Sequence, residues 1–325
     1  MCTLYLDQQG SQLGREGLEL VLRDREGGER CFPLEQVERV LVYGRIQLTV
    51  DALNALLERG IPTTLLNSRG WLHGHLQGER GGQVRRRARQ YALLEDEAAA
   101  LKLARALVTA KLRNQRWLLR THDSPDALAL EPFIASARTA RDAGVLRGVE
   151  GSGAKRYFAA FAALLSGSRF TFPGRRKRPP TDPVNALLSL GYTLLLGELR
   201  SGLQGYGLDP FAGVFHASDG GQPSCALDLM EPLRPLVDRL VLRLAWHEFA
   251  PADFEVGSDG ACLVRDGRRG QFYAAWETLM QEPVLWQGEH RPYRQILHAQ
   301  IGELAKHLDD PGHEFRPLAL NVLGR

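Results

Sequence analysis

The sequence predicts an α+β protein, a small β-rich N-terminal domain followed by a larger, mainly α-helical C-terminal domain. Three observations carry this reading. Up to about Leu76 the apolar residues come in short Val- and Leu-rich runs, the pattern of strands. From Val84 to about Thr121 the chain is rich in Ala, Leu, Arg, Glu and Lys and holds neither Pro nor Gly, which favours one long helix. Between them Gly78 to Gly82 interrupts both patterns and reads as a linker. The expected division is 1–78 as the β-rich domain, 79–90 as linker and start of the long helix, and 91–325 as the helical domain.

Taken in order, Leu18–Arg23 and Val37–Val42 are strand-like runs, and Gly27-Gly28 between them reads as a hairpin turn. One helix interrupts the strands. Thr49 is a good N-cap, and Leu53, Leu56 and Leu57 form its apolar stripe until Gly60 stops it. Thr63–Asn67 and Trp71–Leu76 are strand candidates joined by a turn at Ser68 to Gly70. Beyond the long helix, helical periodicity recurs at about 126–143, 150–166, 183–204, 227–247, 270–281 and 291–308. Turn residues from Gly257 to Gly260 predict a small hairpin over 254–265. The last 20 residues have little periodicity and read as an extended tail.

The 325 residues are 44% hydrophobic and 24% charged, an ordinary globular balance with enough apolar material for a large core. Net charge is only +3, but its distribution is uneven. Residues 1–80 carry 9 Lys and Arg against 11 Asp and Glu, and the remainder carries 32 against 27. The basic excess therefore lies in the helical part, where a nucleic-acid partner would find it. Cys2, Cys31, Cys225 and Cys262 show no C-x-x-C spacing, which argues against a zinc site or a disulfide framework. The longest apolar stretch, Ala186 to Leu196, is too short for a bilayer and contains Ser189 and Gly191. No basic-then-apolar segment opens the chain, so a cytoplasmic protein without a membrane partner is expected.

Three segments carry residues with chemical potential. In Val149–Phe158, Glu150 precedes two glycines at what reads as the start of a helix, where it either complements the helix dipole or faces a ligand that glycine lets approach. Gly205–His216 is a glycine-punctuated loop whose apolar end delivers His216, either a core histidine or a ligand. In Leu227–Asp238, Asp228 and Glu231 stand at i and i+3, on one face if the segment is helical. Two close carboxylates need a cation or an arginine between them, and Arg234 is at hand for the latter. Pro232 and Pro235 complicate the helix, because a start at Pro232 would make Glu231 its cap. Together these segments supply two carboxylates and an imidazole, with Asp228 in reserve. Such a donor set suits Mg²⁺ or Mn²⁺ better than zinc.

Two basic clusters accompany them. Arg85, Arg86, Arg87 and Arg89 open the long helix, where positive charge opposes the helix dipole, so an anionic partner is a natural explanation. Arg175, Arg176, Lys177 and Arg178 sit in a Pro-rich loop. Arg85, Arg86, Arg89 and the four loop residues are the candidate DNA-binding side chains, each cluster otherwise being solvated surface. His73 with His75, and His290, His298 and His307, lack acidic companions at ligand spacing and read as structural.

Jointly these segments resemble the CRISPR-associated spacer-acquisition integrase, the first-numbered Cas protein family. Leu48–Pro62 and Asn67–Gly74 resemble the family's N-terminal domain. Glu150-Gly with Tyr157-Phe158, then Gly207–Pro210 leading to His216, then Asp228–Pro235 resemble its three active-site motifs, and Thr181–Tyr192 its central helix. The resemblance implies metal ligation by Glu150, His216 and Glu231, with Asp228 as an auxiliary acid near the metal. It implies a metal-dependent endonuclease and integrase that inserts short DNA fragments into a CRISPR array by 3′-hydroxyl attack on a phosphodiester. It also implies double-stranded and branched DNA as partners, a homodimer joined through the N-terminal domains, and a complex with the second-numbered Cas protein. A non-catalytic DNA-binding scaffold, or a metal-dependent phosphoesterase acting on small substrates, are the competing readings.

Overall fold

The computed structural model describes residues 2–67, 72–76, 78, 83–176, 179–216, 221–310 and 312–320. It has the α+β architecture expected from the periodicity, strand-rich at the N-terminus and mostly helical beyond. Two compact units emerge, one of Met1–Gly81 with Arg265–Glu277, the other of Gly82–Val264 with Thr278–Arg325.

The first unit contains two four-stranded sheets. Strands β1 (Cys2–Leu6), β5 (Val37–Tyr43), β7 (Thr63–Leu66) and β8 (Leu72–Leu76) form one sheet in that order, parallel except for the β7–β8 pair. Strands β4 (Glu29–Pro33), β3 (Glu19–Arg23), β2 (Gln12–Glu16) and β6 (Gln47–Leu48) form the other. Helix α1 (Val50–Glu58) begins at Thr49, whose hydroxyl accepts from the Ala52 amide at 3.2 Å. Leu13, Leu20, Val40, Ala52, Ala55 and Leu56 are fully buried together, so the alternating apolar positions of the strands face the stripe of the helix. The expected turn at Ser68 to Gly70 and residue Trp71 lie outside the described residues.

In the second unit the expected single long helix is two. Helix α2 (Val84–Glu95) ends at Asp96, whose carboxylate accepts from the Ala98 and Ala99 amides and so starts α3 (Glu97–Thr121). A capping aspartate broke a run that helix propensity alone reads as continuous. A turn of 3₁₀ helix and α4 (Glu131–Thr139) lead to α5 (Ala143–Leu164). This helix is capped by Asp142, two turns earlier than expected, so Glu150 is an interior residue rather than a dipole partner at the N-terminus. Helix α6 (Pro183–Gly205) is buried along most of its length.

Helix α7 (Ser224–Met230), a 3₁₀ turn over Glu231–Leu233 and α8 (Arg234–His247) run nearly continuously. The backbone stays helical at Glu231, with φ −55° and ψ −50°. Pro232 and Pro235 each fall in the first turn of their element, where their missing N–H costs nothing. The expected hairpin is β9 (Phe254–Val256) with β10 (Cys262–Val264). Helix α9 (Asp266–Gln281), a second hairpin of β11 (Pro283–Trp286) and β12 (Glu289–Pro292), and α10 (Tyr293–Asp309) complete the regular structure among the described residues.

The described part of the tail, residues 312–320, is irregular but held in place. The fully buried Asn114 of α3 donates to the Leu318 carbonyl at 2.8 Å and accepts from the Leu320 amide at 2.8 Å. No helix among the described residues is long and apolar enough to cross a membrane.

Candidate active site

The second unit gathers four of its segments at one place. Helix α5 presents Glu150 in its third turn, with its side chain 22% exposed. Gly153, one turn further, allows that helix to lie against α3, because a Cβ there would stand 2.6 Å from Leu112 Cδ2. The α7 run presents Asp228 and Glu231 on one face, both almost fully buried. Asn114 donates to the Pro232 carbonyl at 2.7 Å and so fixes the turn that carries Glu231.

The loop after α6 brings in His216. Its close approach depends on Gly213, where any side chain would strike the backbone of Ser224 and Cys225 at about 2.5 Å and the Asp228 carboxylate at 2.7 Å. Asp228 then clamps the loop. One of its oxygens accepts from the Val214 and Phe215 amides at 2.6 and 2.9 Å, and the other from the His216 amide at 2.9 Å and from His216 Nδ1 at 2.7 Å. A carboxylate that accepts from three amides has nothing to donate, so Nδ1 is the donor in this contact and Nε2 is the nitrogen left facing away from Asp228. That nitrogen faces Glu231 Oε1 at 3.6 Å. The auxiliary acid expected at Asp228 is thus placed to orient His216, with both oxygens already engaged.

Glu231 is the most constrained member. Arg234 Nε donates to its Oε1 at 2.9 Å, and the Lys111 ammonium contacts its Oε2. Burial alone would raise its pKa, but Arg234, Lys111 and His216 outweigh burial and hold the carboxyl well below the usual carboxylate range. The Lys111 ammonium also contacts Glu150 Oε1. Burial pushes this lysine down, and the carboxylates of Glu231 and Glu150 more than reverse that, so it stays charged. Behind Arg234 lies a second polar layer. Its guanidinium stacks over the Tyr192 ring at 4.7 Å, and Tyr192 and Tyr157 both donate to the fully buried Asp238, the latter at 2.7 Å. Burial raises the Asp238 carboxyl to about 6 despite those two hydrogen bonds.

Glu150 and Glu231 therefore meet at the Lys111 ammonium, and His216 Nε2 lies 3.6 Å from Glu231 Oε1. Among the described residues no three His, Cys, Asp or Glu side chains are close enough to hold a metal ion as they stand. The Lys111 ammonium stands between the two glutamates. One observation nevertheless fits a cation there. Glu231 Oε2 is buried and in ion-pair contact with Lys111, yet it lacks any hydrogen bond of good geometry. Two carboxylates and an imidazole nitrogen are also the donor set of a hard divalent ion.

Several side chains of the basic clusters have partners within the chain. Arg86 donates to Asp309 and to the Tyr206 carbonyl, and Arg89 Nη1 reaches Asp309 Oδ1 at 2.9 Å. Both guanidiniums pair with Asp309 at the C-terminus of α10, Arg86 half-buried and Arg89 exposed, and Arg85 is exposed too. Arg175 is no free loop side chain either. It donates to Asn185 Oδ1 at 2.7 Å, to Ser189 Oγ at 3.2 Å and to the Arg176 carbonyl at 2.6 Å. Arg176 is exposed, while Lys177 and Arg178 lie outside the described residues. Sequence reading missed Lys111 and Asn114. The signal for both was present: Leu107, Val108, Lys111, Leu112, Asn114, Gln115, Leu118 and Leu119 share the buried stripe of α3, and a lysine or an asparagine on such a stripe needs partners.

The family model for "CRISPR associated protein Cas1" matches residues 4–278. The chain belongs to the Cas1 family. A curated relative in Thermus thermophilus, CRISPR-associated endonuclease Cas1 1, is 36% identical over 304 residues, covering 93% of this chain and 94% of the relative. A CRISPR-associated exonuclease Cas4/endonuclease Cas1 fusion of Rhodospirillum rubrum is 35% identical over 320 residues, which is 93% of this chain. The chain spans 55% of that fusion's length. The solved structure of a Cas1 protein from Thermotoga maritima superposes with a TM-score of 0.85 at 25% identity, covering 94% of this chain and 97% of the other. Family membership thus agrees with the resemblance carried by the Glu150, His216 and Asp228–Pro235 motifs.

Proposed function

We propose that the chain is a metal-dependent DNA endonuclease and integrase, inserting short DNA fragments into a CRISPR array. The observation that carries this is the convergence of two glutamates from separate segments, Glu150 and Glu231, on one buried ammonium, with His216 Nε2 3.6 Å from Glu231. Glu150, His216 and Glu231 would hold Mg²⁺ or Mn²⁺. A bound divalent ion supplies a Lewis acid for charge developing on a phosphodiester.

The chain's own residues prepare that chemistry. Asp228 fixes the His216 tautomer so that Nε2 faces the reacting side. Arg234 and Asn114 hold Glu231 in place, and preorganised charge is what lowers a barrier without reorganisation. Beside Glu150 opens a pocket of about 530 Å³ lined also by Lys155, Phe158, Arg175 and Arg234, a cationic wall suited to phosphate. In the reaction a 3′-hydroxyl oxygen bonds to phosphorus as one phosphoester bond of the target strand breaks. The proton lost by the attacking oxygen balances the one gained by the leaving oxygen, so no external energy source is consumed. Water in place of the hydroxyl gives nicking. The assembly read from the family resemblance, a homodimer through the β-rich N-terminal domains with the second-numbered Cas protein as partner, belongs to the same proposal.

The test is nicking of branched DNA with Mn²⁺, with and without Glu150→Ala. Loss of nicking with retained DNA binding is expected. A variant that nicks as well as the wild type removes Glu150 from the catalytic site, and DNA binding without nicking by the wild type favours a scaffold. Hydrolysis of small phosphoesters without salt-dependent DNA affinity sinks the DNA substrate.

A further inference from the structure

We infer that Lys111 is a built-in competitor of the metal, an ammonium that holds the two glutamates in the metal-free protein and gives way when a divalent cation binds. This rests on the metal-site reading of Glu150 and Glu231 and adds to it a residue that must move.

Three observations lead here. The Lys111 ammonium contacts Glu150 and Glu231 at once, so it lies where a cation shared by those carboxylates would lie. Its side chain is 6% exposed, and a buried ammonium cannot simply turn into solvent. The third observation is a place for it to go. Gln115 lies one turn along the same face of α3, and its Oε1 is buried without a hydrogen-bond partner. Lys111, Gln115 and Glu150 line the same pocket of about 530 Å³. A lysine rotamer change of a few ångströms carries the ammonium from the carboxylates to that oxygen and the pocket.

Charge counting explains why the arrangement is useful. Glu150 and Glu231 balance Lys111 and Arg234, so these four groups are neutral together as they stand. Without Lys111 two glutamates would face each other with only Arg234 nearby, and the site would spread or take up protons. A divalent ion added beside Lys111 leaves a surplus of two positive charges. Moving Lys111 into the pocket puts part of that surplus where an anionic backbone would lie. Metal binding and DNA binding then favour each other, and the coupling is reciprocal.

The experiment is calorimetric titration of Mn²⁺ into the full chain, compared with Lys111→Met and Gln115→Leu. Lys111→Met removes the competitor at nearly constant length, and Mn²⁺ should bind at least about ten-fold tighter, about 1.4 kcal/mol. A merely structural lysine would not give tighter binding when removed. Gln115→Leu removes the acceptor for the displaced ammonium and should weaken Mn²⁺ binding several-fold. Melting provides a second reading if Lys111→Met is hard to handle: it should melt lower than the wild type without metal and gain more from Mn²⁺. Unchanged or weaker Mn²⁺ binding by Lys111→Met overturns the inference while leaving the metal site standing. Binding by neither protein overturns the metal-site reading and the inference together. Glu150→Ala in the Lys111→Met background checks that the tighter binding is at this site.

Discussion

Asp228 offers a sharp test of the site's construction, through Asp228→Asn. The carboxylate accepts four hydrogen bonds, two on each oxygen, three from backbone amides and one from His216 Nδ1. An amide keeps only one oxygen. Whichever way it turns, two of the four donors then face an NH₂ group that cannot accept. Each hydrogen bond to a charged partner contributes about 1.5–3 kcal/mol, and relaxation of the loop recovers part of the loss. A destabilisation of about 3 kcal/mol is expected. For a unit of this size that lowers the melting temperature by about 6–12 °C, followed by far-UV circular dichroism, which the helical unit dominates. Mn²⁺ affinity should fall as well, because the freed imidazole no longer presents a fixed Nε2. A melting temperature within about 2 °C of wild type would refute the argument that this carboxylate clamps the loop. A stable variant with unchanged Mn²⁺ affinity would show that His216 is oriented by something else.

Glu231→Gln should melt lower than wild type at neutral pH, since it leaves Lys111 and Arg234 buried without their carboxylate, a loss of about 3–5 kcal/mol. Because the folded-state pKa of Glu231 is depressed, its stabilisation is present above the ordinary carboxylate range and is lost as pH falls toward the folded value, so the gap between wild type and variant should narrow on acidification. Asp238 works in the opposite sense: raised from 3.8 to about 6, it costs stability progressively as pH climbs through that window, and a carbon-13 label on its carboxyl should titrate near 6. Replacing Arg85 and Arg176 with Ala should flatten the slope of log affinity against log salt by about 1.8 on duplex DNA, and an unchanged slope would remove both from the backbone contact. Light scattering of the full chain at micromolar concentration should give a dimer, and a monomer would count against pairing through the β-rich domains.

The fold was legible wherever local chemistry decided it. The Thr49 cap, the turn at Gly27 and Gly28, and the hairpin closed by Gly257 to Gly260 all formed where their residue types require. Expectation failed where one side chain overruled a trend. Asp96 divided the long helix by capping a new start, and Asp142 began α5 early enough to make Glu150 an interior residue. Propensity sums over many residues and cannot see a single carboxylate that outbids the backbone for its own amides.

The sequence by itself determined the chemical inventory: two glutamates, an imidazole, an auxiliary aspartate, and the glycines that let a loop approach a helix. Spacing in one dimension also placed Asp228 and Glu231 on one helical face, since that relation is local. Only the tertiary structure decided what each residue does with its neighbours. It gave Asp228 to the His216 loop, Arg86 and Arg89 to Asp309, and Arg175 to Asn185, and it set Lys111 between two carboxylates 39 residues away from one and on a different helix from the other. Charge pairing depends on distance and desolvation, and both are set by how helices pack rather than by position along the chain.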